Sequence, residues 1–299
     1  MKPQQIKFSV KHDIFYFLTA EEICNYQEWE INAVLEEMRS LDMDWGTIIN
    51  PFYKMVSNIT DDDVSRFDRA YDNNDIEEFV KLSYSTCKIQ NLPQHIHPWA
   101  ADPQTVGALA ATQLAILASK DDNPEYKNQI REAGGITALV DLLKSTQNDR
   151  LHAAVVALSF LSDNNMQNCI GIYEAGAMPL LVEGMKSSID GMRAACAQTA
   201  RNIYVLGLKY RKEFLRVGGI QNLIKFLDIP PDPDSQPLYT QFEAIYHIED
   251  FILDGNEEIP EFVQEVKAAG AHKKVKALEK VNDQGLAEAA NLLAIRLLD

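Results

Sequence analysis

The stretch Asn128–Asn165, NQIREAGGITALVDLLKSTQNDRLHAAVVALSFLSDNN, decides the fold. It spells three helices of rising length. The first is short and ends at Glu132-Ala133, stopped by Gly134-Gly135, because glycine adopts the left-handed conformation that closes a helix without steric cost. The second sets Ile136, Leu139, Val140, Leu142 and Leu143 on one side at helical spacing. A polar break from Ser145 to Asp149 carries turn chemistry. A third helix follows, with Leu151, Ala154, Val155, Leu158 and Leu161 as its buried stripe. Its small residues Ala153, Ala154 and Ala157 allow neighbouring helices to approach closely. A unit this short cannot bury its own apolar face, so it requires copies of itself on either side.

The copies are present downstream. NCIGIYEAGAMPLLVEGMKSS (168–188) continues as GMRAACAQTARNIYVL (191–206). RKEFLRVGGIQNLIKFLD (211–228) resumes at LYTQFEAIYHIEDFIL (238–253), and FVQEVKAAGAHKKVKALEK (262–280) leads to GLAEAANLLAIRLL (285–298). The junctions Ala133-Gly134-Gly135, Ala175-Gly176-Ala177, Val217-Gly218-Gly219 and Ala269-Gly270-Ala271 register the four units. They recur at about the forty-odd residue period of helical repeat arrays. One glycine after a helix is common; four, each followed by an apolar and then an Ala-rich helix, are specific.

The pattern E-A-G-G-I-x-x-L-V-x-L-L, followed by A-L-S-x-L, resembles the armadillo repeat family over residues 103–299. HEAT repeats are the near alternative, and the glycine junction after a short first helix favours armadillo. The resemblance implies an all-α, armadillo-type solenoid: a right-handed superhelix of three-helix repeats whose third helices line a concave groove for extended peptides or partner helices. The expected organisation is a helical cap or degenerate first repeat over residues 1–59, then repeats at about 60–122, 123–165, 166–207, 208–255 and 256–299.

Within the first 60 residues, the Thr19-Ala-Glu-Glu22 capping box predicts a helix to about Ser40, with a second between Trp45 and Ser57. Thr60-Asp-Asp-Asp63 opens a further helix with acids at the positive end of its dipole. Consecutive carboxylates point in different directions, which favours capping over metal binding. Asn74–Cys87 and Pro103–Lys120 are expected to complete that repeat. Two proline-bearing insertions interrupt the array, at 91–99 and 229–237. His95 and His97 in the first would need further ligands to hold a metal, and the prolines point to a rigid loop instead.

The charge balance of 28 basic and 44 acidic residues gives a net −16. Such a field opposes nucleic acid and anionic membrane and favours basic partners. Cys24, Cys87, Cys169 and Cys196 lack paired spacing, which points to buried thiols in a reducing compartment. No apolar run is long enough to span a bilayer, no secretory signal opens the chain as given, and Lys2 excludes N-myristoylation of it. The expected location is cytoplasmic, peripheral to an organelle if a partner or a removed N-terminal anchor holds it there.

No catalytic motif is found: no G-x-S-x-G elbow, no phosphate-cradling G-x-x-x-x-G-K-[ST] and no H-E-x-x-H. His12, His152 and His272 fall beside surface-type charges, and Glu257-Glu258 reads as a solvated face. The expectation is a non-enzyme without cofactor or metal. The family's peptide grip uses a repeated Trp and a repeated Asn on successive third helices. The Asn position falls on Gln113, Phe160, Asn202, His247 and Arg296, and the Trp position on Leu109, Val156, Gln198, Glu243 and Leu292. Only Asn202 keeps the family residue. What replaces the ladder is a mixed groove of Gln113, Phe160, Gln198, Arg201, Asn202, Tyr204, Glu243 and His247 as candidate partner-binding residues. The bland alternative is that several of these polar groups satisfy one another between neighbouring helices. The resemblance implies an adaptor or scaffold that holds a protein segment, of the kind that links cargo, motors or organelles. An Hsp70 nucleotide-exchange regulator is the runner-up, and an importin-like receptor is disfavoured by the missing ladder.

Overall fold

The computed structural model describes residues 62–89, 102–120, 122–228 and 241–298. The cap expected over residues 1–59 and the insertions at 91–99 and 229–237, with His95 and His97, lie outside the described residues. Fifteen helices run through the described residues in five groups of three. The first group is α1 (Asp62–Asn73), α2 (Ile76–Leu82) and α3 (Val106–Ala118), and the second α4 (Glu125–Glu132), α5 (Gly135–Leu142) and α6 (Asn148–Ser162). The third is α7 (Met166–Glu174), α8 (Ala177–Gly184) and α9 (Asp190–Tyr204), and the fourth α10 (Leu208–Arg216), α11 (Gly219–Phe226) and α12 (Gln241–Ile252). The last is α13 (Pro260–Ala268), α14 (Ala271–Leu278) and α15 (Gln284–Arg296).

The glycine junctions work as their sequence requires. Gly134, Gly176, Gly218 and Gly270 have φ between 81° and 86°, the left-handed region that L-residues with a Cβ enter only at a cost. Each ends a first helix and opens a second in one residue. The following position must also be small. A Cβ on Gly135 would lie 2.6 Å from a methyl of Ile130, and one on Gly219 would run into the Phe214 ring. Alanine stands there in the other two units, as buried Ala177 and Ala271.

The third helices α3, α6, α9, α12 and α15 pack side by side in that order. Small side chains bring the first pairs close: Ala108, Ala110, Ala111 and Ala115 on α3, with Ala153, Ala154 and Ala157 on α6, are all buried. One continuous apolar core runs from Val64 to Leu297. In its C-terminal half the rings of Tyr204, Phe214, Phe251 and Phe262 meet in sequence, with centroids 4.9 Å (Tyr204–Phe214), 5.8 Å (Phe214–Phe251) and 4.8 Å (Phe251–Phe262) apart. Complete burial of each such ring contributes about 1.5–3 kcal/mol.

Hydrogen bonds between units lock their register. Asn222 donates to the carbonyl of Val182 at 2.9 Å. Asn168 donates to the carbonyls of Leu161 and Lys127 and accepts from Arg131. The buried guanidinium of Arg211 caps α12, donating to the carbonyls of Asp250, Phe251 and Leu253. Two local readings, of Asn74–Cys87 and of His152, differ from the structure, and one short element went without a reading. The helix expected over Asn74–Cys87 is confined to Ile76–Leu82, because Lys88 leaves it to pair in a β-bridge with Thr105. Leu253–Asp254 and Glu257–Glu258 form a minimal antiparallel hairpin around Gly255, which has φ +60°. His152 is fully buried on α6 and not at the surface, since that helix is covered almost all round. Among the described residues, no helix is long and apolar enough to cross a membrane.

Candidate functional site: the inner wall of third helices

The eight candidate residues divide into a supporting layer and a presented layer. Asn202 lies at the centre of the first, only 7 % exposed. Its amide nitrogen donates to Ser162 Oγ on α6 at 3.0 Å, and Ser162 donates in turn to the Ser159 carbonyl. Its amide oxygen accepts from Gln198 Nε2 at 3.0 Å. Tyr204 is fully buried and donates to the His247 carbonyl on α12 at 2.6 Å. Burial raises the Tyr204 hydroxyl well above the usual range, so it remains a donor. His247 is buried too, and loss of hydration, reinforced by the Arg201 charge, lowers its imidazole to about 3. It is neutral at physiological pH. Gln113 is buried on α3, where every residue from Val106 to Ala118 is covered; its Oε1 has no hydrogen-bond partner among the described residues.

The presented layer is Phe160 on α6, Gln198 and Arg201 on α9, and Glu243 on α12, all partly exposed. Arg201 bridges helices, with Nε and an Nη within 2.8 and 2.7 Å of Asp250 Oδ2. Tyr246, one turn beyond Glu243, is exposed and packs edge-on to Phe242 with centroids 4.7 Å apart. Sequence reading did not select Tyr246. Its signal was the helical spacing that makes it the α12 counterpart of Arg201.

Among the described residues no group of three His, Cys, Asp or Glu side chains could hold a metal ion. The free thiols Cys169 and Cys196 are buried, and burial raises Cys169 to about 11 and Cys196 further. Neither is a thiolate at neutral pH.

Five three-helix units, four of them with a left-handed glycine between first and second helices, and with their longest helices forming one wall, define an armadillo-type α-solenoid. The chain belongs to the armadillo repeat family. It is 59 % identical to ARO (armadillo repeats only protein) from Plasmodium falciparum, with a TM-score of 0.76 over 80 % of this chain and 99 % of that one. A designed armadillo repeat protein, 19 % identical, matches at a TM-score of 0.61 over 82 % of this chain and 99 % of its own. A second, solved in complex with the peptide (KR)4, is 18 % identical, with a TM-score of 0.61 over 87 % of this chain and 97 % of its own. No protein-family model and no curated protein matches the chain.

Proposed function

We propose that this chain is a non-enzymatic adaptor that holds a segment of a partner protein along the wall formed by α3, α6, α9, α12 and α15. The observation that carries this reading is the presented layer. Phe160, Gln198, Arg201 and Glu243 are partly exposed on three consecutive third helices, above a buried layer that fixes their positions. A preformed surface leaves most of the ordering cost to the ligand, which suits capture of a flexible segment. The net charge of −16 favours a basic segment and disfavours nucleic acid. A role linking cargo, motors or organelles in the cytoplasm is what the armadillo resemblance implies for a chain built of these repeats.

The test is partner recovery from cell extract with the wild type and with Phe160→Ala combined with Gln198→Ala and Glu243→Lys. Lys212→Ala on α10, where Lys212 is half exposed beside Glu261, serves as the control. The triple variant is expected to lose specific partners that the control retains. Equal recovery by both would overturn the assignment.

A further inference from the structure

The last two units present an apolar surface that the rest of the wall lacks. Leu292, Ile295 and Leu298 are 59, 55 and 53 % exposed, and Tyr246 on the adjacent helix α12 is 48 % exposed. The helices α12 and α15 pack together, tied by Arg296 to Glu249 at 3.7 Å. Leu292, Ile295 and Leu298 border an open cavity of about 390 Å³ with Glu258 and Arg296. In the repeat register that aligns Asn202 with Arg296, Ile295 occupies the position of Arg201 and Leu298 that of Tyr204. On α9 those two residues are the ones that reach across to the following unit, at Asp250 and the His247 carbonyl. Helix α15 turns three aliphatic side chains outward. Scattered apolar residues on a surface need no explanation, but a contiguous group with a polar border does.

The elements that carry this surface are rich in carboxylates. Glu243, Glu249, Glu257, Glu258 and Glu288 lie on α12, the hairpin and α15. Arg296 pairs with Glu249 and Glu258, Arg201 pairs with Asp250, and Lys267 donates to the Leu298 carbonyl at 3.2 Å, so carboxylates outnumber cations on these elements. A second copy of the chain would bring the same carboxylates against these. Charge complementarity therefore selects a basic partner. The partner's conformation follows from the missing ladder. An extended segment exposes unpaired backbone donors and acceptors that side-chain amides must meet. Asn202 is the sole ladder amide retained, and Ser162 and Gln198 occupy it. A helix brings its backbone already satisfied and needs only apolar contact and charge.

Resting on the groove reading above, we infer that Tyr246, Leu292, Ile295 and Leu298 dock an amphipathic helix of a partner protein, its apolar stripe against these residues and its Lys/Arg flanks against the surrounding carboxylates. The probe is a fluorescein-labelled Leu/Lys amphipathic peptide of about 18 residues, five helical turns, titrated against the full chain by fluorescence anisotropy. Leu292→Glu with Ile295→Glu is expected to weaken binding by about tenfold or more, as for loss of apolar anchors. Leu208→Glu, at the equally exposed start of α10, is expected to leave it within about twofold, since scattered surface residues carry little binding energy. If the double variant loses helical content by circular dichroism, Tyr246→Ser supplies the same comparison with the same expected weakening.

Equal binding of a scrambled peptide of the same composition would overturn the proposal. So would tighter binding of an extended Lys/Arg peptide, no binding of either peptide, or self-association of the chain that Leu292→Glu with Ile295→Glu abolishes. The two readings fail separately. Partner recovery lost with the Phe160, Gln198 and Glu243 substitutions while Leu292→Glu with Ile295→Glu leaves peptide affinity unchanged would remove the helix proposal and leave the groove standing.

Discussion

The Asn202 side chain donates to Ser162 Oγ across 3.0 Å, joining the third helix of one unit to the third helix of the unit before it. In a solenoid of this family the corresponding amide is expected to meet a peptide; here it is turned into the wall. Asn202→Ala would leave the buried Ser162 hydroxyl and the Gln198 amide short of a partner. A loss of about 1–2 kcal/mol in chemical denaturation follows, typical of an unpaired buried polar group. A midpoint unchanged from wild type would show that the bond contributes nothing.

Tyr204 makes the matching link in the forward direction, through its hydroxyl to the His247 carbonyl. Tyr204→Phe retains the ring contacts with Phe214 and Phe251 and removes only that donor. The expected cost is about 1–2 kcal/mol with helical content preserved. Tyr204→Ala, which empties the ring's site as well, is expected to cost about 3–5 kcal/mol. Equal costs for the two would contradict the separation of hydrogen bond from packing.

The glycine pairs separate backbone strain from packing. Gly134→Ala meets open space but retains a φ of +83°, so its cost is conformational, about 1 kcal/mol. Gly219→Ala has a helical backbone and gains propensity, yet its methyl collides with the Phe214 ring. Overpacking of this kind costs about 1–3 kcal/mol. Pairing Gly219→Ala with Phe214→Leu is expected to recover part of that loss in thermal denaturation; strict additivity would argue against the contact.

Burial of His247 makes stability pH-dependent. Its folded value, about 3, lies below the ordinary 6.5, so the unfolded chain binds a proton that the folded chain rejects between those limits. Stability is therefore lost as pH falls through that window, with a slope from this residue of up to ~1.4 kcal/mol per pH unit. Asp141 and Glu213, held low by Lys144 and Arg216, add acid sensitivity of the same sign at lower pH. His247→Gln is expected to flatten the decline between about pH 6 and 4.5 and leave the steeper fall below it. Parallel curves for variant and wild type would contradict the assignment.

The junctions were legible because only glycine occupies left-handed backbone cheaply, and four such points, 42, 42 and 52 residues apart with the 229–237 insertion in the longest interval, fix the repeat. The groove was legible in its helices and less so in its side chains. Successive residues on a helix point about 100° apart, so Arg201 is presented while Asn202 and Tyr204, one and three positions on, enter the wall. Helix α3 offered no stripe at all: VGALAATQLAILA is small or apolar almost throughout, and the structure buries every position of it. The hairpin had a signal that went unread, the Asp254-Gly255 pair between Leu253 and Glu257. His152 resisted reading because Asn148, Asp149 and Arg150 give its neighbourhood a surface composition, although the helix turns it inward.

The central claim is that partners lie along the wall of third helices. The most direct test places a photo-crosslinking amino acid at Gln198 on α9, and separately at Lys212 on α10, and irradiates each in cell extract. The account predicts that a discrete partner adduct forms from position 198 and not from 212. Adducts from 212 at equal or greater yield, with none from 198, would contradict it.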